Sequence, residues 1–267
     1  MYKKAIKGVD KILASLEMVI QPASEHSITN QKASIFQGIL MGNIEEEYAD
    51  QLHENQLHPY SQHILKQKDR NIWRITTLNQ QAYENIIIPL MKPDFSSFYI
   101  ERDDVHYQIL DKKVVTSSRK NLIDTYYFGE CDRYINVRFM TPTAFKSEGS
   151  YFFWPQLEKI YRSLMKRYDA FAENETMYDE EVFQQLVQYS EIIKYDIRST
   201  LFHLEGVKIP SFVGSIVVKV KGPQPLVNLA NVLWHYAEYA GVGIKTAIGM
   251  GTTQIIERRE QFDKKGN

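Results

Sequence analysis

Residues 209–251 read IPSFVGSIVVKVKGPQPLVNLANVLWHYAEYAGVGIKTAIGMG, which sets a strand, a turn, a helix and a glycine-rich loop in that order. Ile216, Val218 and Val220 alternate with Val217, Lys219 and Lys221, the two-residue period of a strand with lysines on its solvent face. Gly222 and Pro223 close it. Leu226, Leu229, Leu233, Tyr236 and Ala240 then recur at three- and four-residue intervals, so a helix follows with one apolar face. Asn228, Asn231, His235 and Glu238 fall on its polar face, and Gly241 is placed to cap it. Gly241, Gly243, Gly249 and Gly251 bracket Lys245 and Thr246, giving a backbone free to take positive φ and to approach a ligand closely.

In Rossmann and P-loop proteins the phosphate-binding turn follows a strand and opens a helix. Here the loop follows a helix and leads into a strand over 252–257, and its spacing fits neither motif, which discounts a binder of small nucleotides. Two readings remain. The loop either contacts the phosphates of a larger ligand through backbone N–H groups, or it is a tight helix-to-strand connection whose glycines serve turns alone. Two glycine pairs around Lys245 exceed what one turn requires, which favours the first.

The 267 residues can bury a substantial core in one large or two modest domains. Lys and Arg number 32 against 33 Asp and Glu, a formal charge of −1, so any nucleic-acid partner must be held by local basic patches. Cys131 is the only cysteine, which excludes an internal disulfide and a cysteine zinc site and fits a reducing cytoplasm. Lys3, Lys4 and Lys7 precede the apolar run ILASLEMVI, but Glu17 interrupts it and no small-residue cleavage site follows. No stretch reaches membrane-spanning length, so no membrane partner is expected.

Along the chain, 12–21 reads as a first strand, with Ser27, Thr29 and Asn30 as caps for the helix after it. One helix with Ile35, Ile39, Leu40, Ile44, Tyr48 and Leu52 on its apolar face is expected, ending before Pro59. A strand pair over 63–78 turning at 68–71, a helix over 80–91 and a strand over 105–117 complete a βαββαβ order, the ferredoxin-like arrangement also used by RNA-recognition modules. Residues 118–133 hold the join. A strand from Tyr134, a helix after Pro155 with Leu157, Ile160, Tyr161, Leu164, Tyr168 and Phe171 inward, an acidic insertion over 172–181, a short helix at 183–189 and a hairpin of 195–204 with 212–221 lead into the opening stretch. The fold class is therefore α+β, two tandem ferredoxin-like domains, 1–128 and 129–267. Lys159, Arg162 and Lys166 line one helix face, read as solvated.

Three segments, KIPSFVGSIVVKVKGP (208–223), YAGVGIKTAIGMG (239–251) and VRFMTPTAFKSEGSYFFWP (137–155), resemble the CRISPR-associated endoribonucleases of the sixth Cas family, in detail those serving type III-A systems. The resemblance implies an enzyme that cuts CRISPR precursor RNA within its repeats without metal or other cofactor. The 2′-hydroxyl beside the scissile phosphate attacks, leaving 2′,3′-cyclic phosphate and 5′-hydroxyl ends. It implies repeat RNA as partner, transient contact with a type III effector complex, and a monomer or homodimer. It also places RNA against Gly241, Gly243, Lys245, Thr246, Gly249 and Gly251, and makes Arg138 and Lys146, which flank the TPTAF turn, further RNA-binding candidates.

The same resemblance puts the catalytic histidine in ADQLHENQLHPYS (49–61), at His53. Imidazole suits either proton role, its reference pKa of about 6.5 lying near working pH, and a helix C-terminus favours its protonated form. His53 is therefore read as the general acid for the leaving 5′-oxygen. Some relatives carry a tyrosine on the preceding helix and a lysine after the histidine, where this chain has Met41 and the stretch 56–58. The general base is thus open among Tyr48, His58, Tyr60 and Lys66. The departure also sustains a rival reading, a non-catalytic RNA-binding subunit of a CRISPR effector complex. His53, His58 and His63 recur every five residues, but Pro59 breaks any helix that would align them, and no metal site is expected.

Overall fold

The computed structural model describes residues 12–23, 28–172, 176–204 and 206–256. In the first half, strand β1 (Ile12–Pro22) leads to helices α1 (Ala33–Met41) and α2 (Glu46–Glu54), then to the hairpin of β2 (Tyr60–Gln67) and β3 (Arg70–Thr77). Helix α3 (80–91), whose middle turn widens to π-helical pitch at Tyr83–Ile87, precedes a short strand β4 (Ser97–Ile100) and the long β5 (Val105–Ser118). The five strands form one antiparallel sheet in the order β2-β3-β1-β5-β4. Ala14, Leu16, Met18 and Ile20, alternate residues of β1, face a core with Phe36, Leu40, Trp73 and Tyr107.

Helix α4 (119–127) follows, and the second half repeats the plan: β6 (Tyr134–Thr143), the small hairpin β7 (Phe145–Ser147) and β8 (Ser150–Phe152), helices α5 (Leu157–Ala170) and α6 (Glu180–Tyr189), then the hairpin β9 (Ser190–Leu204) and β10 (Val207–Val220), helix α7 (Gln224–Ala240) and β11 (Thr253–Ile255). Its sheet runs β11-β6-β10-β9, all antiparallel. Leaving aside β4, both sheets place second, third, first and last strands side by side, the ferredoxin-like order expected of two tandem units.

Several elements differ from the sequence expectation. The single helix expected before Pro59 is two, because Gly42 and Asn43 end α1, Asn43 returning its side-chain amide to Ile39 O at 2.8 Å. Phe36, between the expected apolar positions, is the ring that fills that core, edge-on to Trp73 at 5.0 Å. Strand β4 and the β7–β8 hairpin were too short to show a period, and the join at 118–133 contains α4. Lys3, Lys4, Lys7, Ser27, residues 173–175 of the acidic insertion and Glu257 lie outside the described residues.

The polar face read on α7 is largely turned inward, with Asn228 and Asn231 buried and His235 and Glu238 half-buried. Asn228 donates to Tyr127 O and Gly129 O, Asn231 to Asp132 O, and His235 stacks on Tyr126 at 3.7 Å. Helix α7 is buried almost all round because its C-terminal end also packs on the first sheet. The hydroxyls of Ser61 and Thr76, on β2 and β3, both donate to Tyr239 O, at 2.9 and 2.6 Å. Leu13 and Leu78 of the first half lie in the same apolar cluster as Leu233 and Tyr236 of the second.

His63, opposite Arg74 on β2–β3, is buried, and desolvation together with the Arg74 charge pulls its pKa down to about 3. The folded pKa lies below the unfolded value, so the contribution of neutral His63 is full above about pH 6.5 and is lost as pH falls towards 3. Stability by urea unfolding is expected to fall over that window by up to ~1.4 kcal/mol per pH unit for this one proton. In His63→Leu the slope is expected to flatten by about that amount; an unchanged slope contradicts the assignment.

Candidate active site and nucleic-acid interface

His53 sits in the last turn of α2, the end at which the helix dipole favours a cation, and Glu46 and Glu47 sit in the first turn, the end that favours anions. The His53 side chain is exposed. Beyond Asn55 the chain bends at 56–57 and again at buried Pro59, which brings His58, half-buried, against Tyr60 with ring centroids 5.6 Å apart. Burial lowers the His58 pKa, and the nearby charges of Arg167 and His53 lower it further, so His58 is neutral near pH 7. Its Nδ1 is buried without a hydrogen-bond partner. Facing it across a cleft stand Ser34 and Gln37 of α1 and Lys245 of the glycine-rich loop.

The other base candidates are placed less well. The Tyr48 hydroxyl is buried and unpartnered, and its pKa is pushed up to about 12. Tyr60 is fully buried and raised as well, its hydroxyl accepting from Gln37 Nε2 at 3.0 Å. Lys66 points to solvent near the far end of β2. His63 is inside the sheet, and among the described residues no three His, Cys, Asp or Glu side chains converge as metal ligands would.

The glycine-rich loop is wedged between the halves. Gln62, buried on β2, donates from Nε2 to Ala247 O at 2.8 Å and Ala33 O at 3.1 Å, while its Oε1 accepts from Trp73 Nε1 at 2.7 Å. Asn30 donates to Gly249 O at 2.6 Å. These contacts account for the glycines: a Cβ on Gly249 would stand 2.4 Å from Ala33 Cβ, one on Gly243 2.2 Å from Ala144 O, and both have positive φ. Gly241, Gly249, Gly251 and Thr246 are buried, so the face offered to a ligand is Gly243 and Lys245. Lys245 is a lysine held in the left-handed region, φ 56° and ψ 35°, a conformation of the kind that persists where surrounding structure enforces it.

Arg167 clamps this loop to the histidine segment. Its Nη1 donates to Thr246 Oγ1 at 2.6 Å and its Nη2 to His58 O at 3.1 Å. The guanidinium is buried, and among the described residues no carboxylate pairs with it. Above it opens a groove walled by Lys146 on the β7–β8 hairpin, by Lys159, Arg162 and Lys166 on α5, and by Gly243 with Ile244, with Leu57 at its lip. Leu57 and Ile244 of the groove are followed in the chain by His58 and Lys245 of the cleft, so the two openings are neighbours. The structure thus brings together His53, His58, Lys245, Gly243 and Lys146. It leaves Arg138 apart, on the open face of the second sheet beside Asp196 and Arg198. The spacing of three and four puts Lys159, Arg162 and Lys166 on one helix face, which the sequence alone reads as solvated; the hairpin opposite makes that face a groove wall.

The fold of two tandem ferredoxin-like halves is one that solved structures share. A Cas6 product complex superposes with a TM-score of 0.74 over 92% of this chain and 100% of that one at 20% identity, and a Thermus thermophilus Cas6 with 0.70 over 93% and 100% at 19%. A model of the family described as CRISPR-associated endoribonuclease Cas6 matches residues 137–253. Proteins named CRISPR-associated endoribonuclease Cas6 from Streptococcus thermophilus and Mycobacterium tuberculosis are 27% and 29% identical, covering 94% and 82% of this chain and 99% and 69% of their own lengths. The chain is thus similar to the CRISPR-associated endoribonucleases Cas6 over most of its length, and to the family's model over its second half.

Proposed function

We propose that this protein cuts CRISPR precursor RNA within its repeats by attack of the RNA's own 2′-hydroxyl, with no metal ion. The observation that carries the reading is the pairing of two histidines, His53 exposed and His58 kept neutral, beside Lys245 where a five-cation groove opens. A duplex or folded strand fits the groove by its phosphates, which Lys146, Lys159, Arg162 and Lys166 meet and the uncompensated charge of Arg167 attracts.

With the scissile phosphate against Lys245, neutral His58 takes the proton from the 2′-hydroxyl. The 2′-oxygen bonds to phosphorus as the bond to the 5′-oxygen breaks, and protonated His53 gives its proton to that leaving oxygen. Lys245 and the N–H groups of the loop stabilise the charge that builds on the phosphoryl oxygens. The products are a 2′,3′-cyclic phosphate and a 5′-hydroxyl. His58 takes the base role because buried Tyr48 and Tyr60 ionise too reluctantly. In this reading residues 1–128 carry the proton-transfer groups and 129–267 the loop and groove. The cut RNA passes to a type III effector complex, and the protein acts as a monomer or homodimer.

Labelled repeat RNA incubated with the protein in EDTA is expected to be cut once. The cut is expected to fail on RNA with a 2′-deoxy group at the cut site, and to slow at least ~10²-fold in His53→Ala with RNA affinity kept. Undiminished cutting by His53→Ala removes the assignment. Tight binding without any cut by the unaltered protein makes it an RNA-binding subunit instead.

The groove makes a separate prediction. Replacing Lys159 and Lys166 together by Gln is expected to weaken RNA binding uniformly across sequences and to reduce the slope of log affinity against log salt by about 1 to 2. An unchanged slope places the RNA elsewhere.

A further inference from the structure

The segment SYFFWP leaves the β7–β8 hairpin and ends in an aromatic surface that neither the core nor the cleavage chemistry uses. Of the three tryptophans, Trp73 and Trp234 are fully buried, whereas Trp154 is 48% exposed; Phe153 beside it is 48% and Tyr195 on edge strand β9 is 60% exposed. Trp154 and Tyr195 meet edge to face, ring centroids 5.4 Å apart at 74°, which leaves at least one of the two with both ring faces clear of the other. Pro155, buried just before the next helix, disfavours helical backbone at Trp154, and the Tyr195 ring is the contact against which the indole rests.

Single exposed apolar side chains are ordinary, but a paired tryptophan and tyrosine is a surface that wants a flat partner. The charge around it decides which. Two residues before Trp154, the Phe152 ring carries the Lys159 ammonium 4.2 Å from its centroid, and Tyr151 carries that of Lys146 at 5.5 Å. Both lysines wall the basic groove, so the aromatic run 151–154 leads outward from it; on β9, Lys194 and Asp196 flank Tyr195 with opposite charges and alternate with it across the strand. An apolar protein partner would have to cover these cations at a desolvation cost; a polyanion meets them favourably.

We propose that Trp154 and Tyr195 form a stacking platform for unpaired bases of RNA, so that a single-stranded flank running out of the groove is gripped by its base faces. The proposal rests on the groove's being an RNA site, as argued above. Base-paired RNA hides its base faces inside the duplex, so the ligand is single-stranded, and stacking of this kind is tolerant of sequence.

Because Trp154 is the one exposed tryptophan of the three, intrinsic fluorescence of the intact protein reads this site. Titration with an oligouridylate of about eight nucleotides is expected to quench it saturably. By anisotropy, Trp154→Ala is expected to bind the same probe about five- to tenfold more weakly, and Trp154→Phe to keep most of the affinity. A repeat hairpin bearing an unpaired flank is expected to lose its advantage over the bare hairpin in Trp154→Ala, with bare-hairpin binding unchanged. No quenching, or equal affinity of Trp154→Ala for the oligouridylate, overturns the platform and leaves the surface to a protein partner. Saturable quenching by oligouridylate with no cutting of repeat RNA sinks the cleavage reading and leaves the platform standing.

Discussion

A guanidinium buried between two halves of a protein, with no carboxylate to neutralise it among the described residues, is costly, several kcal/mol by the usual desolvation penalty of an ion. Arg167 offsets part of that cost through hydrogen bonds to Thr246 Oγ1 and His58 O, of the charge-assisted kind worth about 1.5–3 kcal/mol each. Only arginine has the fork to reach both acceptors at once; a lysine offers a single point of charge. What the clamp secures is a geometry. The segment that carries His58 belongs to the first half and the loop that carries Lys245 belongs to the second, and Arg167 ties the two together within a few bonds of both side chains.

The rest of the interface serves the same end. Gln62 uses both of its amide hydrogens and its oxygen to hold the loop, α1 and Trp73 together, and Ser61 and Thr76 both donate to Tyr239 O near the end of α7. The two units therefore do not behave as beads on a string: apolar side chains from both line one cluster. A buried cation in the floor of a cationic groove also sets the electrostatics, since the nearest source of compensation is an anion bound in the groove.

Much of this was legible in the sequence. Alternation in 216–220 and the three-four spacing of 226–240 each gave the right element, and two βαββαβ orders gave the fold. Local breaks escaped because they depend on caps rather than periodicity, as at Gly42 and Asn43. The asparagines of α7 looked solvated because sequence shows polarity and not the neighbouring carbonyls, here those of 127–132, that satisfy it. The glycines were read as room for a ligand, whereas Gly249 against Ala33 and Gly243 against Ala144 show that room used by the protein itself. Arg167 lies three residues after Leu164 and seven after Ile160, on the apolar face itself, so its spacing marks it as inward; what the sequence does not show is which acceptors in other elements its guanidinium reaches.

The most direct measurement is a double-mutant cycle on Arg167→Met and Thr246→Val, read by single-turnover cutting of repeat RNA with folding checked by urea unfolding. If the clamp unites the site, each single change slows cutting and the double is little worse than the worse single, a coupling of ~1 kcal/mol or more. Additive losses, or singles that cut at the unaltered rate, contradict the view that this contact assembles the site.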